Sequence, residues 1–541
     1  MPVLILGGGI NGAGLLRELA LQGVDCLLVD KSDFVAGASS KSSRMIHGGL
    51  RYLERREFHL VRESLFERNR LLDNAPHVVT PLKTTIPLTS RLGGLLRSAL
   101  IFLGLPVRPG ERGVVPVKVG LWFYDFITRK DRHTPTHRLT RCGEALRAMP
   151  GLRTDIVATA TYWDAWISQA ERLCVEIIQD ARAAHAGCEA LNYVRPTGLE
   201  DGAVALEDRV TGETIRLRPR VLVNATGAWV DLTNAALGTE TRFLGGTKGS
   251  HLVIDCEPLR ASLDGQMVYY QHRDGRVCIV FPFADKVIMG STDLRVDDPD
   301  EAHCDADEIA YMFETLRGVF PHVGLSRKDI VHVFCGVRPL PRAEGQVLAN
   351  VSRGHSLRTI EPEGDRPFPI VCLIGGKWTT FRRFAEETAD DVLARLGRTR
   401  QHSTEHLPIG GGRDFPVGEA RRADWIARVA GHSGVSPERV AVLLSRYGTV
   451  AEDFAAAEAD DERRLETLGD YTLAEIARIA ATEDVEHLAD LICRRSTIAL
   501  LGQATEPVLR ELASVIGAAL GWKNATMERE VADALAEVRL P

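Results

Sequence analysis

The stretch VLILGGGINGAGLLRELALQG, residues 3–23, decides the fold class. Its first four residues are apolar throughout, as in a strand covered on both faces. A glycine-rich turn follows, and then apolar positions at helical spacing. Gly7, Gly9 and Gly12 stand in G-x-G-x-x-G spacing, with Asn11 inside the motif. The first glycine permits a sharp turn. The second lets a pyrophosphate approach the backbone, and the third lets the helix pack on the strand. Free N–H groups and the dipole at the helix start favour phosphate there. A second strand, VDCLLVD (24–30), ends in Asp30, at the distance where an acid accepts hydrogen bonds from a ribose hydroxyl and repels a 2′-phosphate. These residues predict an α/β, Rossmann-like dinucleotide-binding domain at the start of the chain.

Two later segments favour FAD over NAD. PRVLVNATGAWVD (219–231) is an apolar strand ending in Ala225, Thr226 and Gly227, small residues that allow a second close approach of backbone to cofactor. PIVCLIGGKWTTFRRFAEETADDVLARL (369–396) reads as a buried strand, the pair Gly375-Gly376, and a helix with Thr379 and Thr380 at its start. A helix N-terminus stabilises the negative charge of a reduced flavin.

The chain has 541 residues, 45% hydrophobic and 26% charged, with a formal net charge of -7. This is globular material with ample core, and the charge excludes a generally basic nucleic-acid binder. The ten cysteines show no CxxC spacing. They read as free thiols, with no metal site. The first strand begins at Pro2, leaving no room for a targeting segment within the sequence. The apolar run LGGLLRSALIFLGLP (92–106) is too short to span a bilayer and reads as a core or cap helix, with a membrane-surface element as the second reading.

SSRMIHGGLRYLE (42–54) carries the substrate side of the argument. A phosphate-bearing ligand needs cationic donors for its dianion close to the flavin. Cations at glycine-rich or strand-end positions are His47, Arg51, His251, Arg338, Arg353 and Lys377. Gly48 and Gly49 would bring backbone near the flavin.

GGGINGAG, SSRMIHGGLRYLE, NAPHVVTPLK, KVGLWFYDF, NATGAWVD, TKGSHLVI, GSTD, GVRPL and GGKWTTF occur in order along the chain. In that order and spacing the sequence resembles the FAD-dependent glycerol-3-phosphate dehydrogenases, from residue 2 to about residue 535. The resemblance implies FAD as cofactor and a glutathione-reductase/D-amino-acid-oxidase-like domain with an inserted, mainly β substrate cap and a C-terminal all-α domain. It implies oxidation of sn-glycerol 3-phosphate to dihydroxyacetone phosphate by hydride transfer from C2 to flavin N5, with electrons passed to quinone. His47, Arg338, Lys377 and His251 are the implied catalytic residues, the two histidines being unranked as acceptors of the hydroxyl proton. Arg51, Tyr52, Thr292 and Arg353 would bind substrate. Gly7, Gly9, Asn11, Gly12, Asp30, Ser39, Ser40, Gly48, Gly49, Ala225, Thr226, Gly227, Gly376, Lys377 and Thr379 would contact the cofactor. A cytoplasmic protein held peripherally on the inner face of the cell membrane is implied, with a homodimer as an open option.

Phe381 and Arg495-Ser496 depart from the family pattern, which leaves the exact polyol phosphate open, a tetritol phosphate included. An oxygen-using glycerol-3-phosphate oxidase, an FAD-binding amino-acid oxidase and a catalytically silent FAD-binding interaction protein are the alternatives.

The middle of the chain reads as hairpins, with turns at Thr211-Gly212 and Asp274-Gly275. The expected oxidoreductase unit is 1–396, with cofactor segments near 1–80, 156–242 and 326–396 and the cap near 81–155 and 243–325. A linker is expected at 397–415 and a helical domain at 416–541. There Ser436 and Pro437 form a helix start, and Val440, Leu443, Leu444 and Tyr447 share one face.

Overall fold

The computed structural model describes residues 2–49, 57–93, 113–342, 354–459 and 461–541. Arg51, Tyr52 and Arg353 lie outside the described residues, as does most of the apolar run at 92–106.

The opening strand, Val3–Leu6, is buried at every position. It sits inside a six-stranded sheet, flanked in parallel by Cys26–Val29 and Val221–Asn224, with Val3 opposite both Cys26 and Val221. Cys188–Leu191 and Ile370–Ile374 extend the sheet in parallel on either side, and Ser356–Ile360 closes one edge antiparallel. Helix Ile10–Leu21 packs on helices Ala170–Ala184 and Phe381–Arg395. Gly14 allows that approach: a Cβ there would lie 2.9 Å from the Phe381 ring.

The expected β-rich insertion is a ten-stranded sheet. The Asp274-Gly275 hairpin forms, with Met267–Gln271 antiparallel to Val277–Phe283, and the Thr211-Gly212 turn joins Ala203–Asp208 to Thr214–Leu217. Sheet membership cuts across the expected segment limits at 81, 156 and 326. Ala158–Ile167 pairs along its whole length with Val79–Leu88, Met45–Ile46 pairs with Ala158–Ile167, and Ile330–Arg338 pairs with Thr247–Ile254. Backbone donors and acceptors of these strands are satisfied by the large sheet, so they belong to it although their sequence lies among cofactor segments.

The connecting segment after residue 396 is laced to the first domain. Arg398 donates to the Gln22 carbonyl at 2.6 Å, Arg400 pairs with Glu18, and Ile409 N–H donates to the Asn74 carbonyl at 2.8 Å. Beyond it the chain is helical. Ser436 caps helix Pro437–Tyr447 by accepting from Arg439 N–H, and Val440, Leu443, Leu444 and Tyr447 are buried, as the spacing predicts. Polar groups inside this domain are gathered around Glu475. Its carboxylate lies 2.6 Å from Arg439 and 3.0 Å from Arg446 and accepts from the Tyr447 hydroxyl, while Arg439 also pairs with Glu458 at 2.6 Å. Removing one member of a buried charged set strands the others. Glu475→Gln is therefore expected to cost about 3 kcal/mol in urea unfolding. A loss below about 1 kcal/mol would contradict that account.

Candidate active site

A cavity of about 720 Å³ lies where the C-terminal ends of the parallel strands face the large sheet, within the size range of ligand sites, roughly 300–1,000 Å³. Leu6, Gly7, Val29, Asp30, Ala225, Thr226, Gly227, Gly375 and Gly376 line it from the parallel sheet. Ligands of open α/β sheets bind at this end.

The turn geometry follows from the glycines. Gly7 has φ +105°, a left-handed conformation, and a Cβ there would lie 2.6 Å from the Ala225 carbonyl oxygen. A Cβ on Gly12 would lie 1.9 Å from the Gly7 carbonyl oxygen, so only glycine lets the helix start this close to the strand. Ile10 N–H donates to Ser39 Oγ at 3.1 Å, and Trp378 Nε1 donates to the Ser39 carbonyl at 2.8 Å. Asn11 donates to the Gly375 carbonyl at 3.3 Å, while its buried Oδ1 has no hydrogen-bond partner. The Asp30 carboxylate accepts from Gly8 N–H at 2.7 Å and Ser32 N–H at 2.9 Å. Burial raises its pKa to about 6, opposed by those two N–H groups.

At the other end the cavity is lined by basic side chains. His47, Lys41, His251, Arg338 and Lys377 all line it. Lys377, following Gly375 and Gly376 at φ +79° and +90°, donates to Ser64 Oγ at 2.8 Å. Arg338 ends its strand beside Gly249, where a Cβ would overlap the guanidinium. Its fork holds Asp293 at 3.0 Å, Ser291 Oγ at 3.0 Å and the carbonyls of Lys248 and Thr292 at 3.2 and 3.1 Å. His251 stacks on Phe334 with ring centroids 4.9 Å apart, and its Nε2 lies 3.1 Å from Ser43 Oγ. Burial, and then the nearby Arg338 and Arg44, lower its pKa to about 3, so its imidazole is neutral.

Some expected site residues face elsewhere. The Thr292 hydroxyl is buried between Ser250 N–H, from which it accepts at 2.9 Å, and the Glu308 carboxylate, to which it donates. Gly48 is wedged under Tyr124, where a Cβ would lie 2.2 Å from the hydroxyl, and its N–H donates to Asp164 at 2.9 Å. Neither Gly48 nor Gly49 lines the cavity. Ser40 donates to the Gly37 carbonyl of its own turn, and Thr379 donates to the His47 carbonyl at 3.4 Å, tying that loop to the helix start. Lys41 and Ser43 went unflagged; the signal available was a serine-rich stretch carrying one lysine between the dinucleotide motif and His47.

Residues 2–365 match the model of the FAD dependent oxidoreductases, and residues 402–527 match that of the C-terminal domain of alpha-glycerophosphate oxidase. The chain is 33% identical over 524 residues to a glycerol-3-phosphate dehydrogenase of Synechocystis sp., covering 92% of this chain and 89% of that protein. The chain belongs to the FAD-dependent glycerol-3-phosphate dehydrogenase family. The chain is also similar to a D-erythritol 1-phosphate dehydrogenase of Brucella abortus, 30% identical over 91% of this chain and 93% of that protein. The fold matches that of a Bacillus halodurans glycerol-3-phosphate dehydrogenase complexed with FAD, with TM-score 0.76 and 23% identity over 99% of this chain and 94% of that one.

FAD is thus the cofactor of this oxidoreductase. The residues present fit it: the bare backbone of Gly7, Gly9 and Gly376, an orphaned Asn11 oxygen and the Asp30 carboxylate all border one cavity.

The neutral state of His251 has a consequence for stability. Its ordinary pKa near 6.5 applies to the unfolded chain, which takes up a proton that the folded protein refuses down to about pH 3. The resulting stability is present above pH 6.5 and is lost as pH falls toward 3. Removing the imidazole with His251→Gln should flatten the fall in urea midpoint between pH 6.5 and pH 4.5. Parallel curves for the two proteins would contradict a neutral His251.

Proposed function

We propose that the protein oxidises sn-glycerol 3-phosphate at C2 to dihydroxyacetone phosphate and delivers the electrons to a membrane quinone. The observation that carries this reading is that Lys377, Arg338, His47 and His251 line the same cavity as Gly7, Gly9 and Asp30. A phosphate dianion needs cations such as Lys377 and Arg338, and an amino-acid oxidase would not need a phosphate site. When bound, FAD supplies the two-electron acceptor for the C2 hydrogen.

The chain's own residues have separable tasks in this reading. Lys377 is a point charge at a helix start that lines the cavity, its ammonium hydrogen-bonded to buried Ser64. Arg338 is pinned by the Asp293 carboxylate, Ser291 Oγ and two carbonyls, so its guanidinium is held in one orientation and does not reorganise during the reaction. His251, neutral and weakly basic, orients by hydrogen bonding to Ser43, and the C2 hydroxyl proton passes to His47. The D-erythritol 1-phosphate dehydrogenase relative supports a second substrate reading, a longer polyol phosphate using the same cations.

The exposed face of helix Val114–Thr128 supports peripheral membrane contact. Val119, Trp122 and Phe126 are 62%, 61% and 44% exposed, and Trp122 stacks on Phe126 at 5.8 Å. Lys118, Arg129, Lys130 and Arg132 flank them at the surface. Apolar side chains bordered by cations suit an anionic bilayer surface. No helix among the described residues is long and apolar enough to cross a membrane.

Anaerobic addition of sn-glycerol 3-phosphate is expected to bleach the oxidised flavin band, and Lys377→Met to slow that bleaching about a hundredfold or more. Bleaching by erythritol 1-phosphate alone would move the assignment to the longer substrate, and bleaching by neither would refute the reading. The double substitution Trp122→Glu, Phe126→Glu should abolish cosedimentation with anionic vesicles while the flavin still bleaches. Undiminished vesicle binding would contradict the membrane face.

A further inference from the structure

The segment that follows the second strand borders the cavity through Asp30, Lys31, Ser32 and Ala36. Asp33, in its midst, turns the other way and is fully buried. Its carboxylate is gripped from the far end of the chain. Arg495 donates to its two oxygens at 2.9 and 2.8 Å, Arg494 Nε donates to one of them, and Asn192 adds a bond at 3.0 Å. Both arginines come from a π-helical turn, Leu491–Arg495, whose wider winding turns consecutive residues onto one carboxylate.

This grip reaches the cofactor turn by two routes. In the first, Phe34 packs on Gly8, where a Cβ would lie 2.6 Å from the ring, and Val35 N–H donates to the Gly8 carbonyl at 3.1 Å. Val35 has φ +67°, a conformation that a β-branched residue adopts only where its surroundings impose it. In the second, Arg494 holds Asp490 at 2.7 Å, which accepts from the Tyr193 hydroxyl at 2.6 Å. Tyr193 N–H donates to the Ser32 carbonyl at 3.0 Å and Val194 N–H to the Asp30 carbonyl at 2.7 Å. Tyr193 also has positive φ, +58°. The first route ends on Gly8 of the glycine turn, and the second on residues 30–32, the ribose side of a dinucleotide site.

We propose that the C-terminal helical domain sets the protein's affinity for FAD, with Arg494 and Arg495 as positioning residues that hold residues 30–36 in their cofactor-binding shape through Asp33. Side-chain ion pairs next to this anchor, tied to it only through the Glu483, Asp484 and Arg495 carbonyls, also hold the domains together. Arg172 pairs with Glu483 at 2.9 Å and Arg182 with Asp484 at 2.8 Å, and neither pair borders the cavity. Buried guanidinium–carboxylate sets add little net stability but specify geometry when fully hydrogen-bonded. Preorganising a binding segment raises affinity by removing the cost of ordering it.

The test uses full-length apoprotein and measures the FAD dissociation constant by equilibrium titration, together with competition by ADP, which carries the adenosine diphosphate half alone. Arg495→Lys keeps the charge but loses the two-pronged grip, and Asp33→Asn removes the anchor. Each is expected to weaken FAD by about tenfold or more, and ADP by a similar factor. Glu483→Gln, the control at the same domain interface, is expected to lower the melting temperature while FAD affinity stays within about twofold. If Arg495→Lys does not fold, Arg494→Lys carries the same comparison. Unchanged FAD affinity in the anchor variants, an equal loss in Glu483→Gln, or a loss for FAD without one for ADP would overturn the proposal.

Discussion

The Gly7 carbonyl oxygen occupies the place where a side chain on residue 12 would begin. That contact, 1.9 Å from an ideal Cβ, fixes how near the first helix stands to the first strand, and the rest of the molecule is built outward from it. The strand pairs on both sides, so its end cannot shift without moving the sheet. The helix packs on two others, on Phe381–Arg395 through Gly14, so its start cannot retreat. The free N–H groups at the turn are thereby aimed at one volume, and the strand ends at Asp30, Ala225 and Gly376 border the same volume.

The opposite wall is a sheet whose strands come from widely separated parts of the chain. It delivers His47, His251 and Arg338 to one face, and the turn after Gly375-Gly376 delivers Lys377. The charges there are restrained. Arg338 is bound to fixed oxygens, and His251 is held neutral by burial and by its arginine neighbours. Basic groups held in fixed orientations suit a small dianion whose neighbouring carbon is oxidised.

Much of this was legible in the sequence because it rests on local rules. Glycine spacing with an acid after the second strand, an Asp-Gly hairpin and a Ser-Pro helix start each encode their geometry within a few residues, and each formed as read. What was illegible depends on long-range company. Thr292 looked like a site hydroxyl, yet Ser250 and Glu308 claim it. Gly48 looked like a close-approach glycine, and it is one, but toward Tyr124 rather than the cavity. Strand Ala158–Ile167 carries no mark of its sheet, since only its partner Val79–Leu88 decides that. Asp33 and Arg495, 462 positions apart, share no periodicity that could join them on the page.

If the phosphate cations and the flavin share one chamber, a bound phosphorylated product must disturb the flavin spectrum. The most direct test adds dihydroxyacetone phosphate, the product, to the oxidised holoenzyme and records the flavin difference spectrum, with Lys377→Met beside it. The account predicts a saturable perturbation that weakens sharply in the variant. No perturbation, or the same binding curve in both proteins, would contradict a phosphate site beside the flavin.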